Sequence, residues 1–239
     1  MGLALVVGDA TEQSGDVSGK TLRFLDHARS IACPIDAVAS GVGSSSFGAV
    51  ISHDPRILPP DLPVPEDDGG ARHLVGARMP ATALLTTDGR VIDLAALQAE
   101  HTVLYCYPRT GRPGEEPLTP DWDLIPGARG CTPESCSFRD HYRELRELKA
   151  EVFGLSTQES KDQQEAVARL ELPFALLSDA SLELTEALHL PTFTAANAVL
   201  LKRLTLVIRN AHVEHLWYPV FPPDRHGEQV LAWLEAHIG

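Results

Sequence analysis

The chain has 239 residues, of which 44% are hydrophobic and 22% charged, as expected for a globular protein that buries a core. Its formal net charge of −13 disfavours nucleic acid and anionic membranes as partners, because both repel an acidic surface. No apolar run approaches the roughly 18 residues of a membrane-spanning helix, and the first residues lack the basic start of a secretion signal. We therefore expect a cytoplasmic protein, in which thiols are kept reduced.

Composition divides the chain into three parts. Residues 1–60 are rich in Ser, Gly and Ala, show little hydrophobic pattern, and indicate a poorly ordered N-terminal extension. Residues 61–78 carry prolines, glycines and acidic residues, as a linker does. Residues 79–239 hold regular patterns, so we expect them to form the folded domain.

In chain order, this domain begins with a hairpin around Asp88-Gly89 and a buried strand at 102–108. A long irregular segment, 109–130, precedes a helix predicted from Cys131 to about Lys149. The remaining pattern predicts, in order, a strand at 151–157, a helix at 160–170, a strand at 173–179, a helix at 181–190, strands at 200–210 and 212–220, and a helix at 227–238. Strands that alternate with helices in this way predict an α/β sandwich.

Two of the four cysteines, Cys131 and Cys136, stand at the predicted start of the first helix. Thr132-Pro133 is a helix-start signal, because a capping residue is followed by a proline whose missing N–H costs nothing there. Free backbone N–H groups and the positive end of the helix dipole favour a thiolate at Cys131, and the thiolate is the nucleophilic form. Arg129 and Arg139 could add positive charge.

The spacing leaves the geometry of the cysteine pair open. Two helical residues five positions apart have Cα atoms about 8.7 Å from each other, beyond the roughly 7 Å that a disulfide spans without backbone movement. Either the first turn unwinds and lets the sulfurs meet, or Thr132 is the cap and the cysteines are neighbours in a hydrophobic staple. In both cases a disulfide would be coupled to a local backbone change, which favours a transient bond.

Two other kinds of site have little support. A zinc site made of Cys131, Cys136 and His141 would lack a fourth ligand and the usual cysteine spacing. The stretch SGDVSGKT (14–21) lacks the first glycine of a phosphate-binding loop and does not follow a strand directly. We expect neither a metal nor an organic cofactor.

The string GCTPESCSFRDHYREL (130–145), followed by EVFGLS (151–156), resembles the peroxiredoxins of the bacterioferritin-comigratory-protein, or Q-type, subgroup. The resemblance covers about residues 76–239. It implies a thioredoxin-like fold, with a central mixed β-sheet flanked by helices. It also implies that Cys131 attacks a hydroperoxide, that Cys136 resolves the sulfenic acid as a disulfide, and that thioredoxin or a similar dithiol reduces this disulfide.

The resemblance includes an arginine but not a threonine. Arg203, in KRLTLVI, matches the family's arginine, whose guanidinium would stabilise the thiolate and hold a peroxide oxygen. The family's threonine, three residues before the cysteine, is replaced by Ala128. Thr110 is one candidate for the missing hydroxyl; otherwise backbone donors near Gly130 and Thr132 bind the peroxide together with the arginine.

The sequence therefore predicts a thiol peroxidase of the atypical 2-Cys type, a monomer or homodimer that reduces hydrogen peroxide or organic hydroperoxides. Among enzymes, the alternative is a thiol–disulfide oxidoreductase or redox sensor that uses the same cysteines, and the missing threonine favours it. The non-catalytic alternative is a binding module in which the cysteines form a stable bridge.

Overall fold

A computed structural model describes residues 54–238 of the chain. Three 3-10 turns lie at Arg72–Leu74, Trp122–Leu124 and Pro223–Arg225 of this part. Its strands are β1 (Ala83–Thr86), β2 (Val91–Asp93), β3 (His101–Cys106), β4 (Ala150–Ser156), β5 (Leu176–Ser178), β6 (Thr192–Ala195), β7 (Ala198–Leu201), β8 (Leu204–Arg209) and β9 (His212–Trp217). Its helices are α1 (Cys131–Asp140), α2 (Tyr142–Glu147), α3 (Ser160–Leu170), α4 (Glu183–Leu188) and α5 (His226–Ile238).

Seven of the strands form one mixed sheet in the order β2-β1-β5-β4-β3-β8-β9. The central strands β3, β4 and β5 run parallel, and β1 and β8 pair with this group in the antiparallel direction. Crossover helices connect the parallel strands, as parallel pairing requires. The prediction of a thioredoxin-like α/β fold with a central mixed sheet is confirmed.

Alternate side chains of the central strands enter two separate cores, one on each face of the sheet. In β3, Val103 and Tyr105 pack with α1, α3 and α5, whereas Leu104 and Cys106 pack on the opposite face with α4. All six residues of β3 are buried, because helices cover both faces of the sheet. This arrangement places the start of α1 next to the central strand.

The helix predicted from Cys131 to about Lys149 is two helices, α1 and α2, with a break at His141. Nδ1 of His141 hydrogen-bonds the carbonyl oxygen of Ser137 at 2.9 Å, and this oxygen is the acceptor that a continuous helix would give to the backbone of residue 141. The backbone N–H of His141 turns to the carbonyl of Arg139 instead. The prediction of a single helix is therefore wrong at this residue.

The strand predicted at 200–210 is also divided, between β7 and β8. β7 pairs with β6, which the sequence pattern did not predict, in a separate two-stranded sheet, and β8 returns to the main sheet beside β3. The chain changes partners at Lys202 and Arg203, where the backbone N–H of Lys202 bonds to the carbonyl of Pro191. This break leaves Arg203 between two strands, with its side chain buried.

Residues of the predicted linker, 61–78, contribute to the core. Ala71 and Leu74 are fully buried in the cluster that also contains Leu104 and Cys106. Predictions for residues 1–53 lie outside the described part of the chain, and the division at residues 60 and 78 remains a prediction. Within residues 54–238, no helix has the length and apolar character needed to cross a membrane.

Candidate active site

Cys131 is the first residue of α1, and its side chain is only 3% exposed. Its thiol is free, and Sγ lies 3.6 Å from the carbonyl oxygen of Ala128, to which it can donate. Gly130 precedes the helix with a φ of 109°, a conformation that L residues rarely adopt. A Cβ at Gly130 would lie 2.4 Å from Cγ of Pro223, so no larger residue fits at this entry to the helix.

Arg203 brings a buried positive charge to the sulfur. Its Nη2 donates to Sγ of Cys131 at 3.1 Å and to the carbonyl oxygens of Gly127 and Arg129 at 3.3 and 3.2 Å. These contacts hold the Nη2 end of the guanidinium between the sulfur and the loop that carries Gly127 and Arg129. The structure thus places the arginine that the resemblance selected in direct contact with the predicted nucleophile.

Glu134, which the sequence reasoning did not select, completes this group. Its carboxylate accepts a hydrogen bond from Nη1 of Arg203, and both side chains are essentially inaccessible to solvent. Burial raises the pKa of the Glu134 carboxyl to about 7, while the ion pair with Arg203 works against this rise. The sequence signal that could have identified Glu134 is an acidic side chain in the first turn of α1, a helix whose residues are otherwise mostly buried.

A cavity opens from Cys131 to solvent beside the loop 109–130. It is lined by Pro55, Arg109, Gly111, Arg112, Glu115, Glu116, Pro117, Leu118, Trp122, Ala128, Arg129, Gly130, Cys131 and Thr132. Trp122 both lines this cavity and anchors the loop, since it is 6% exposed and packs near Phe193 with ring centroids 6.3 Å apart. The loop that interrupts the family pattern therefore supplies one wall of the cavity.

The sequence offered Thr110 as a substrate-binding hydroxyl and Thr132 as a backbone donor, and of these two threonines only Thr132 lines the cavity. Its Oγ1 is buried and has no hydrogen-bond partner within the described residues. Thr110 instead lies against Gln158, whose Oε1 accepts from the Thr110 backbone N–H at 2.8 Å and from its hydroxyl at 3.3 Å. The structure thus keeps Thr110 out of the cavity.

Cys136 lies in the second turn of α1 and is 6% exposed. Since the helix begins at Cys131, both cysteines are helical, and helix geometry separates their Cα atoms by about 8.7 Å. This removes the alternative in which Thr132 is the cap. Bond formation between the two sulfurs requires the first turn of α1 to open.

Residues 54–58, here called the N-terminal strap, cross the loop that carries Cys131. Arg129 donates from Nη2 to the carbonyl oxygens of Asp54 and, at 3.1 Å, Ile57. Leu58 packs against Gly130, and the buried Pro55 lines the cavity. The strap therefore forms part of the wall around Cys131, although its sequence carries no catalytic motif.

Comparisons with known proteins agree on the family. Residues 74–231 match the profile of the Redoxin family. The chloroplastic peroxiredoxin Q of Sedum lineare is 26% identical, with 81% of this chain and 95% of that protein covered; the Suaeda salsa protein of the same name is 25% identical, with 90% and 99% covered. Peroxidoxin BcpB of Mycobacterium tuberculosis superposes with a TM-score of 0.55 at 26% identity, over 68% of this chain and 97% of that one.

The family profile covers more than half of the chain, including α1 and the strand that follows Arg203. The sheet, the cysteine at the start of α1 and the relatives named peroxiredoxin Q all point to one assignment. The chain belongs to the Redoxin family, and within it to the peroxiredoxins of the bacterioferritin-comigratory-protein, or Q, type, which are thiol-dependent peroxidases.

Proposed function

We propose that Cys131 is the residue that reduces the hydroperoxide. Its thiolate attacks the terminal oxygen of ROOH, the O–O bond breaks, and the leaving RO⁻ takes up a proton as the alcohol or water. The product on the protein is the sulfenic acid of Cys131. The observation that carries this proposal is the free, cavity-lining Sγ with Nη2 of Arg203 at 3.1 Å.

Three groups could stabilise the charge that moves onto the peroxide oxygens. The guanidinium of Arg203 contacts the sulfur, and Thr132 lines the same cavity with a buried hydroxyl that has no protein partner in residues 54–238. The backbone N–H groups of Cys131 and Thr132 belong to the first turn of α1, where such donors have no partner within the helix. Glu134 acts as a positioning residue, because it holds the guanidinium rather than the substrate.

We further propose that Cys136 resolves the sulfenic acid. Cys136 is disulfide-bonded in the structure, so it acts after reduction: its thiol then condenses with Cys131–SOH, a disulfide forms, and water leaves. A dithiol such as thioredoxin then reduces the disulfide by exchange, which returns both thiols and oxidises the dithiol. The five-residue spacing on α1 supports an intramolecular bond that forms only while the first turn is open.

The test compares the wild type with Cys131→Ser and Cys136→Ser in a peroxide-consumption assay with thioredoxin as the reductant. We expect Cys131→Ser to be inactive, and Cys136→Ser to react once and then accumulate sulfinic acid, measured by intact mass. Wild-type consumption no faster than that of an ordinary free thiol would contradict the proposal. In that case, rapid exchange with disulfide substrates would favour the thiol–disulfide oxidoreductase instead.

A further inference from the structure

A second cavity lies beside the loop that leads to Cys131, with a volume of about 400 Å³, in the range of small-molecule sites. It shares no lining residue with the cavity at the cysteine, because residues 125–127 line the second cavity and residues 128–132 line the first. Arg203 lines the second cavity and donates to Sγ of Cys131 at 3.1 Å. A ligand in this cavity would therefore lie next to a residue that holds the nucleophile.

Three parts of the chain supply the apolar wall of this cavity. Val64 and Pro65 come from the segment before β1, Ile125 from the loop and Phe193 from β6. A Cβ at Gly127 would lie 3.6 Å from Cβ of Pro65, so this segment packs directly on the loop. Val64 nevertheless keeps 63% of its surface exposed. Apolar surface that stays open to solvent in a concave site of this size is typical of a ligand site.

Most of the polar side chains in the lining already have partners. Nζ of Lys202 forms an ion pair with Asp68 at 2.6 Å, and the hydroxyl of Tyr218 donates to the other oxygen of the same carboxylate at 2.6 Å. Arg203 forms the buried ion pair with Glu134. The cations of this cavity are therefore compensated by the protein, and they offer no unpaired positive charge to an anion.

Glu66 is the exception among these side chains. It is exposed, and within residues 54–238 it makes no ion pair and no hydrogen bond. An anionic ligand would meet this carboxylate, and a cationic ligand would meet the ammonium of Lys202. The lining thus favours neither sign of charge, and the apolar wall determines what binds.

We propose that this cavity binds a neutral, mainly apolar molecule that contains aromatic or alicyclic rings. Rings suit the flat faces of Phe193 and of the three prolines in the lining, Pro65, Pro126 and Pro219. The site does not depend on the proposed function, because nothing in its lining requires that Cys131 reduce a peroxide.

The test measures binding of N-phenylnaphthylamine, a neutral probe whose fluorescence increases in apolar surroundings, to the full chain. We expect saturable binding to the wild type. Val64→Asp places a charge on the apolar wall and should weaken binding about tenfold. Val75→Asp is the matched control, since Val75 is 58% exposed and lies outside this lining, and it should leave the affinity unchanged. Circular dichroism checks that both variants keep the fold.

Two further comparisons test the location and the charge preference. Pro117→Asp changes the wall of the cavity at Cys131 and should leave the affinity for the probe unchanged. Anilinonaphthalenesulfonate is the same molecule with an anionic sulfonate, and we expect it to bind the wild type about tenfold more weakly. Glu66→Gln should reduce this difference, because it removes the unpaired negative charge.

No saturable binding to the wild type, or an unchanged affinity in Val64→Asp, would overturn the proposal. Weaker binding in Pro117→Asp but not in Val64→Asp would place the probe in the other cavity and would also overturn it. Binding of the sulfonate as tight as that of the neutral probe would overturn the assignment of a neutral ligand.

Discussion

Replacing Glu134 with glutamine tests whether its charge holds Arg203 against the sulfur of Cys131. Apart from the Cys131 sulfur itself, the carboxylate is the only charged acceptor of this guanidinium in the described residues, since the others are the carbonyls of Gly127 and Arg129. A hydrogen bond to a charged group contributes about 1.5–3 kcal/mol, which corresponds to roughly 10–150-fold in rate if the bond serves the transition state. We therefore expect kcat/KM for hydrogen peroxide to fall by a factor in this range.

Stability should fall as well, because breaking one side of a buried ion pair costs about 3–5 kcal/mol and glutamine restores only part of this. The pH profile separates the two effects. The pKa of Glu134 is about 7, so the wild type loses the negative charge as the pH falls below 7, and its rate should approach that of Glu134→Gln. Stopped-flow measurement of Cys131 oxidation from pH 5 to 8 follows this convergence.

Glu147→Gln is the matched control, since it removes a negative charge from a side chain that is 71% exposed on α2. It should match the wild type in rate at every pH. If Glu134→Gln is destabilised but reacts with peroxide at the wild-type rate at pH 8, Glu134 is structural and the positioning role is refuted.

Three further predictions concern other residues near the site. Gly130→Ala should destabilise the fold by about 1–3 kcal/mol, because the φ of 109° is strained for alanine and its Cβ would meet Pro223; urea unfolding measures this. Thr132→Val should keep its stability but lose about tenfold in kcat/KM for peroxide, because it removes a buried hydroxyl that has no protein partner in residues 54–238. Burial lowers the pKa of His226 to about 4, so the unfolded chain binds the proton more tightly than the folded protein does. Between pH 7 and 5 the wild type should therefore lose about 2 kcal/mol of unfolding free energy that His226→Gln does not lose.

Each of these changes has its own control or contrary result. Gly114 also has a positive φ but nothing within 4 Å of its Cβ position, so Gly114→Ala isolates the backbone strain from the contact. The hydroxyl of Thr185 donates to Asp179 at 2.6 Å, so Thr185→Val should lose stability and keep activity, the reverse of Thr132→Val. Parallel losses of stability in wild type and His226→Gln between pH 7 and 5 would show that another group causes the loss.

The parts of the fold that the sequence predicts well are those set by local chemistry. The hairpin turns at Asp88-Gly89 and Asn210-Ala211 contain residues that accept a positive φ, and α3 has the bounds that its hydrophobic spacing predicts. The two errors, the single helix from Cys131 to about Lys149 and the single strand at 200–210, arise from contacts that the spacing of hydrophobic residues does not reveal. A ring nitrogen of His141 hydrogen-bonds a backbone carbonyl that would otherwise accept a helical N–H. The strand before Arg203 pairs with β6 and is not part of the main sheet.

The candidate site also combines features that the sequence predicts with features that it does not. Thr132-Pro133 predicts that α1 starts near Cys131 but leaves the capping residue open, and the position of Arg203 beside the sulfur follows from the resemblance. The sequence does not predict a role for Glu134, because that role depends on complete burial against an arginine 69 positions away. The place of Thr110 depends on Gln158, a residue with no signal of its own. Long-range burial and pairing determine these features, and one sequence does not display them.

The N-terminal strap has a consequence for where this enzyme can be cut. The Redoxin profile begins at residue 74, whereas the strap that Arg129 holds beside the cysteine loop lies at 54–58. A protein trimmed to the profile would retain Cys131, Arg203 and Glu134 but would leave Gly130 and one side of the cavity open to water. Its sulfenic acid would then be less shielded, so trimmed protein should be inactivated by fewer peroxide molecules than the longer chain.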